Sequence, residues 1–160
     1  MGEHRCKAGR QSAAPELAVV VALLLFLIIA IGLQFARDDL DWVRATLSVY
    51  LHGPYGALLR SAYCVLALAI AVLGLMLYRQ ADGGARRGLP PSLFAVAGLG
   101  LATVAIGDSW LPQFAPLLAP LIHGLAAQTA FLCVTVAMLL QAWCFGRDAH
   151  WRRLYWLTWG

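Results

Sequence analysis

Four long apolar runs, separated by short polar stretches, set the pattern of this chain. The first, residues 17–35, reads LAVVVALLLFLIIAIGLQF and is apolar on every face. A helix that is hydrophobic all round belongs in a bilayer or deep in a core. The second run covers residues 55–78, the third 92–107 and the fourth 116–143. A membrane span needs about 20 mostly apolar residues, so the pattern predicts four transmembrane helices, the third of them short at 16 residues. The predicted fold is all-α, an integral membrane helical bundle. Pro15 and Glu16 suit a helix start. Pro116 and Pro120 fall in the first turns of the fourth span, where proline is tolerated or produces a kink. Ala67 with Ala71 on the second span and Gly98 with Ala102 on the third give small residues four apart, a spacing that permits close helix packing.

The polar stretches divide the chain. Residues 1–14 read as a disordered basic cytoplasmic tail, residues 15–145 as the transmembrane domain, and residues 146–160 as a basic, tryptophan-rich juxtamembrane segment. That last segment reads either as an interfacial helix or as the start of a fifth span cut off at Gly160. The first loop, residues 37–54, is acidic at its start, and its middle, DLDWVRATLSVYL, predicts a short interfacial helix. Trp42, Tyr50 and Tyr55 are rings of the kind found at membrane interfaces, and Gly53-Pro54 breaks the chain before the second span. The second loop, residues 79–91, is rich in glycine and arginine. The basic tail before the first span is similar to a signal peptide. However, the apolar core is longer than the usual h-region of about 7–15 residues, and no A-x-A-like cleavage site follows, so a retained anchor is expected. Gly2 is followed by Cys6 where a myristoylation signal needs Ser or Thr.

Composition sharpens this picture. The chain has 61% hydrophobic and 12% charged residues and a mean hydropathy of +0.73. Soluble domains have about 25% charged residues, so the solvent is a bilayer, and 160 residues leave no room for a separate soluble domain. A net charge of +4 and a pI of about 9.1 do not indicate nucleic acid, because the basic residues flank apolar runs. Nine of the twelve Lys and Arg residues lie in the tail, the second loop and the C-terminal segment; Arg37, Arg44 and Arg60 lie on the other side. The positive-inside rule therefore predicts a multi-pass protein with both termini cytoplasmic, and the expected setting is a bacterial inner membrane. The four cysteines, Cys6, Cys64, Cys133 and Cys144, form no CxxC or zinc spacing, and no structural disulfide is expected.

Two blocks carry a family resemblance. The first, Leu47 to Leu77, reads LSVYLHGPYGALLRSAYCVLALAIAVLGLML. The second is GLGLATVAIGDSW followed by LIHGLAAQTAFL, and RDAHWR closes the region. Together they resemble a bacterial and archaeal family of multi-span membrane proteins catalogued as a domain of unknown function, DUF998. The matching features are a Ser-x-Tyr and Gly-Pro-x-Gly entry to a span, a glycine-rich helix ending in an Asp-containing turn, and a His-Gly that opens the next helix. The resemblance covers most of Leu47 to Arg153. The family usually has about six spans, whereas this chain stops after four. Its Asp-containing turn tends to read Pro-Thr-Asp-Pro, where this chain has Gly-Asp-Ser. The resemblance implies an integral membrane protein and brings no established activity.

The candidate chemistry centres on one end of the bundle. Asp108 and His123 are fifteen residues apart, and a helix end, an eight-residue turn and a helix start bring them to the same side of the membrane. His52, Ser48 and Asp41 from the first loop, with Arg60 five residues into the second span, extend this into a candidate polar site. Ionisable groups within membrane segments are rare and often functional. One reading is a metal-assisted lipid hydrolase with His52, His123 and Asp108 as ligands; no HExxH or clustered histidine spacing supports it. Another is axial haem ligation by His52 and His123, with Ala119 leaving space for a macrocycle. The structural alternative is that Asp108 caps the turn from Ser109 to Pro116, His123 bonds a neighbouring helix, and Arg60 snorkels to the interface; the functional reading of Arg60 is a pair with Asp108 across the bundle. Polarity within the spans is limited to groups such as Gln34, Thr103 and Gln128, which argues against a stand-alone transporter. The expected role is a non-catalytic membrane component, an accessory or structural subunit in contact with lipids and with other membrane subunits, binding no nucleic acid. The alternative is a metal-dependent lipid hydrolase or a cofactor-binding protein using the Asp/His site. The sequence names no cofactor.

Overall fold

The computed structural model describes residues 14–80 and 88–147. Residues 1–13 of the expected tail, most of the glycine- and arginine-rich loop, and residues 148–160 of the expected juxtamembrane segment lie outside the described residues; residue 14 belongs to the first helix, and residues 146 and 147 to the last. The chain runs through α1 (Ala14–Ala36), a short 3-10 helix (Leu47–Leu51), α2 (Gly56–Gln80), α3 (Leu89–Phe114) and α4 (Ala119–Arg147). Each α-helix is long and apolar enough to cross a membrane. At 1.5 Å per residue they extend roughly 35–44 Å, more than the hydrocarbon core of about 30 Å. In lipid every backbone polar group must be satisfied internally, and a helix does this within one segment. Side-chain hydroxyls follow the same rule: Ser61 donates to the Ala57 carbonyl and Thr103 to the Leu99 carbonyl, each at 2.9 Å.

The helices pack in chain order, α1 on α2, α2 on α3 and α3 on α4. The first and third connections therefore share one end of the bundle, here called the site end. α3 is the central helix: 44% of its apolar window is buried inside the protein, against 17% for α1 and 11% for α4. Small residues permit this. A Cβ on Gly98 would lie 2.8 Å from the Ala67 carbonyl oxygen and 3.6 Å from the Ala71 amide. The small-residue spacing of α2 thus receives the glycine of α3. Gly100, two residues on and so on the opposite side of α3, does the same toward α4: its Cβ would lie 2.8 Å from the Ala126 carbonyl oxygen. In lipid, where no hydrophobic force drives helices together, such close backbone approach is a main source of packing energy.

Two expectations need correction. The third span does not stop at Gly107; α3 continues for 26 residues to Phe114, with Pro90 and Pro91 in its first turn. Asp108 is therefore inside a helix and caps no turn. Gly-Asp-Ser reads as a breaker in water, but next to an apolar phase the helix keeps its backbone bonded. Ser109 reinforces this by donating to the Ile106 carbonyl at 2.5 Å. Pro112, also inside α3, lacks the N–H that would bond the Asp108 carbonyl. The actual turn is short, residues 115–118, closed by Ala115 N–H to the Leu111 carbonyl at 2.8 Å.

The second correction concerns the first loop. Only Leu47–Leu51 becomes helical, and as a 3-10 helix. Tyr50 does not sit as an interfacial ring, unlike the exposed Trp42 and Tyr55. Tyr50 and Leu51 are each 1% exposed, and they enter a core with Leu33 of α1, Leu59 of α2 and Val104 of α3. Ala126 and Ala127 of α4 pack against the same cluster. The loop thus plugs the site end, joining a cluster to which all four helices contribute. The return into α2 uses a left-handed Gly53 (φ 79°). Gly56 then passes so close to the Leu51 carbonyl that any Cβ would collide with it.

Candidate functional site

Asp108 sits six residues before the end of α3, and His123 lies at the fifth residue of α4. At 1.5 Å per residue both are roughly 6–9 Å from their helix ends, at matching depth. The extra turns of α3 create this match. His123 Nδ1 lies 2.8 Å from Asp108 Oδ1, and the two side chains are only 24% and 14% exposed. An ionised carboxylate only accepts, so Nδ1 carries the proton and donates. The ring's Nε2 is then the atom left for other partners. The ring of Tyr63 of α2 meets Phe26 of α1 edge-on at 5.0 Å.

The pair borders an open cleft of about 460 Å³. Asp108 and Pro112 of α3 line one side, and Ala119, Pro120 and His123 of α4 another. The 3-10 segment closes the third side with Ser48, Val49 and His52. The structure thus brings Asp108, His123, His52 and Ser48 to one cleft. It does not bring Arg60, which is absent from the lining and forms no ion pair with Asp108. Asp41 is also elsewhere, accepting from the Val43 amide at 3.0 Å. Among the described residues no three His, Cys, Asp or Glu side chains are grouped closely enough to hold a metal ion. His52, His123 and Asp108 therefore do not form the ligand trio that the hydrolase reading needs. The Ser48 hydroxyl is hydrogen-bonded to the Thr46 hydroxyl at 2.9 Å. Cys64 and Cys133 are free.

Sequence reasoning used Arg37 only to count charges, yet it organises the loop that carries His52 and Ser48. Its guanidinium is buried and grips Asp39 with two parallel bonds, Nε to Oδ1 at 2.6 Å and Nη2 to Oδ2 at 2.7 Å. Nη1 donates to the His52 carbonyl at 2.9 Å. A side chain on Gly53 would press on Nη1, with its Cβ 3.2 Å away. A charged residue directly after a span ordinarily reads as a topology signal, so nothing local marks this role.

The hydrogen bond from Arg37 holds the Asp39 carboxyl below the usual carboxylate range. Folded Asp39 takes up its proton at lower pH than unfolded Asp39. The pair's contribution is therefore complete above about pH 4 and is lost as pH falls through the folded value. Asp39 is well exposed, so the effect is small. The Asp39→Asn variant is expected to melt roughly 2–4 °C below wild type at pH 7. Scanning fluorimetry in detergent should show that gap closing as the pH falls below 4; a gap unchanged at every pH would refute the pairing.

A family described as "protein of unknown function (DUF998)" matches the chain over residues 20–159. No curated protein and no solved structure matches it. The chain therefore belongs to the DUF998 family.

Proposed function

We propose that this DUF998 member is a non-catalytic, multi-pass component of a bacterial inner membrane that serves as an accessory subunit of a larger membrane assembly. The observation that carries this reading is the engagement of the cleft's polar groups. Asp108 is bonded to His123 and Ser48 to Thr46. Acyl transfer by a serine needs the nucleophile bonded to its base, and a hydrolytic zinc needs three protein ligands. Here the pair ties α3 to α4 instead. α1 and α4 leave most of their apolar surface outside the bundle, area that lipid or neighbouring spans cover. The Lys and Arg distribution supports placing both termini, with the 79–91 loop, in the cytoplasm and the cleft on the opposite face.

A C-terminal green fluorescent protein fusion tests topology and role together, since that reporter folds in the cytoplasm. The expected result is fluorescent cells and, after purification in mild detergent, stoichiometric membrane partners. Dark cells with intact fusion protein would overturn the topology. A fluorescent fusion that purifies alone as a monomer would overturn the subunit role.

A lipid-active enzyme is the second reading. One observation favours it: His123 is oriented by Asp108 in a cleft that also holds Ser48 and His52. Release of fatty acid from ester lipids by purified protein, abolished in His123→Ala, would establish it.

A further inference from the structure

We infer that the cleft beside Asp108 and His123 receives the hydroxyl head of an amphipathic, lipid-phase molecule, with the hydroxyl hydrogen-bonded to His123 Nε2. This site does not depend on the accessory-subunit reading. The cleft, at about 460 Å³, falls within the range of roughly 300–1,000 Å³ typical of small-ligand pockets. Its depth, roughly 6–9 Å from the helix ends, is where the polar head of a membrane-dissolved molecule resides. Val49, Pro112, Ala119 and Pro120 offer apolar walls to the first carbons behind that head.

The chemistry of the lining selects the head group. Among the described residues no Lys or Arg lines the cleft, while Asp108 brings a carboxylate, so a phosphate is disfavoured by charge. The buried guanidinium of the adjoining loop, Arg37, is spent on Asp39 and the His52 carbonyl. Among the described residues no Phe, Tyr or Trp ring lines the cleft, so a quaternary ammonium lacks the cage that such cations use. A hydroxyl fits both states of the ring. It donates to Nε2 of a neutral imidazole and accepts from Nε2–H of a charged one. The bond from Nδ1 to Asp108 holds the ring in the required orientation. The shared chemistry is a hydroxyl on an apolar body, as in a diacylglycerol or a lipid-soluble quinol.

Photocrosslinking tests this. The full-length protein is reconstituted in phosphatidylethanolamine and phosphatidylglycerol vesicles with a diacylglycerol bearing a diazirine near the head of its acyl chain. Labelled peptides are mapped by mass spectrometry. The expected result is labelling within 48–52 and 108–123 that falls about tenfold in His123→Ala. Ala119→Trp, which fills the cleft while leaving both Asp108 and His123 unsubstituted, should reduce it similarly and serves if His123→Ala fails to fold. Competition by unlabelled dioleoylglycerol assigns the site to lipid alcohols, and competition by decylubiquinol assigns it to quinols; either supports the inference. Labelling that is equal in wild type and both variants, or competed only by dioleoylphosphatidic acid, would overturn it.

Discussion

Gly98→Leu is expected to unseat α3 from α2 and to lower stability by about 3 kcal/mol or more, at or beyond the upper end of overpacking costs. Any Cβ at this position would lie 2.8 Å from the Ala67 carbonyl oxygen. That neighbour is backbone, so it cannot swing aside as a side-chain end can. α3 is the central helix, and its displacement would also carry Gly100 away from Ala126 of α4. In detergent the melting temperature should fall by roughly 6–12 °C, with loss of the monodisperse species on size exclusion. Gly32→Ala is the control. Nothing lies within 4 Å of a Cβ at Gly32, and alanine in a helix is favoured over glycine by about 1 kcal/mol, so this variant should match or exceed wild type. A Gly98→Leu protein as stable as wild type would mean that α2 and α3 do not approach through this glycine.

Asp108→Ala is expected to destabilise by about 1–3 kcal/mol, the cost of leaving a partly buried polar partner unsatisfied. His123 is 24% exposed, so water compensates part of the loss and holds the effect below that of a fully buried pair. Asp108→Asn keeps an oxygen that accepts from Nδ1 but loses the charge, and should fall between alanine and wild type. Equilibrium unfolding in mixed micelles reads both. If the asparagine and alanine variants are equally impaired, the charge of Asp108 matters more than its position; if neither is impaired, the bond does not form.

The four spans were legible because lipid imposes a simple demand: about 20 apolar residues in a row, which 17–35, 55–78 and 116–143 meet without ambiguity. The packing partners were half legible. The small-residue spacings on α2 and α3 were visible as patterns, but only the structure shows that Gly98 seats on Ala67 and Ala71. The length of α3 was not legible, because Gly107, Asp108, Ser109 and Pro112 each weaken a helix in water, while the apolar phase around them favours the bonded backbone. Asp108 and His123 could be grouped from their matching depth on adjacent spans. Their direct contact depended on the two further turns of α3. The place of Tyr50 was not legible, because an amphipathic ring suits an interface and a plug equally well; what decides is the fold of the loop, which Arg37 holds through Asp39 and the His52 carbonyl.

The most direct test of the account is a double-mutant cycle on Asp108 and His123. Asp108→Ala, His123→Ala and the combined variant are unfolded alongside wild type under identical micelle conditions. Residues joined by a hydrogen bond couple by about 0.5–3 kcal/mol. The structure, with Nδ1 and Oδ1 at 2.8 Å between two different helices, predicts a coupling of about 1 kcal/mol or more, with the double variant little worse than either single. Stability losses that simply add, to within about 0.5 kcal/mol, would contradict it: α3 and α4 would not be joined at this site, and the cleft built upon that pair would lose its foundation.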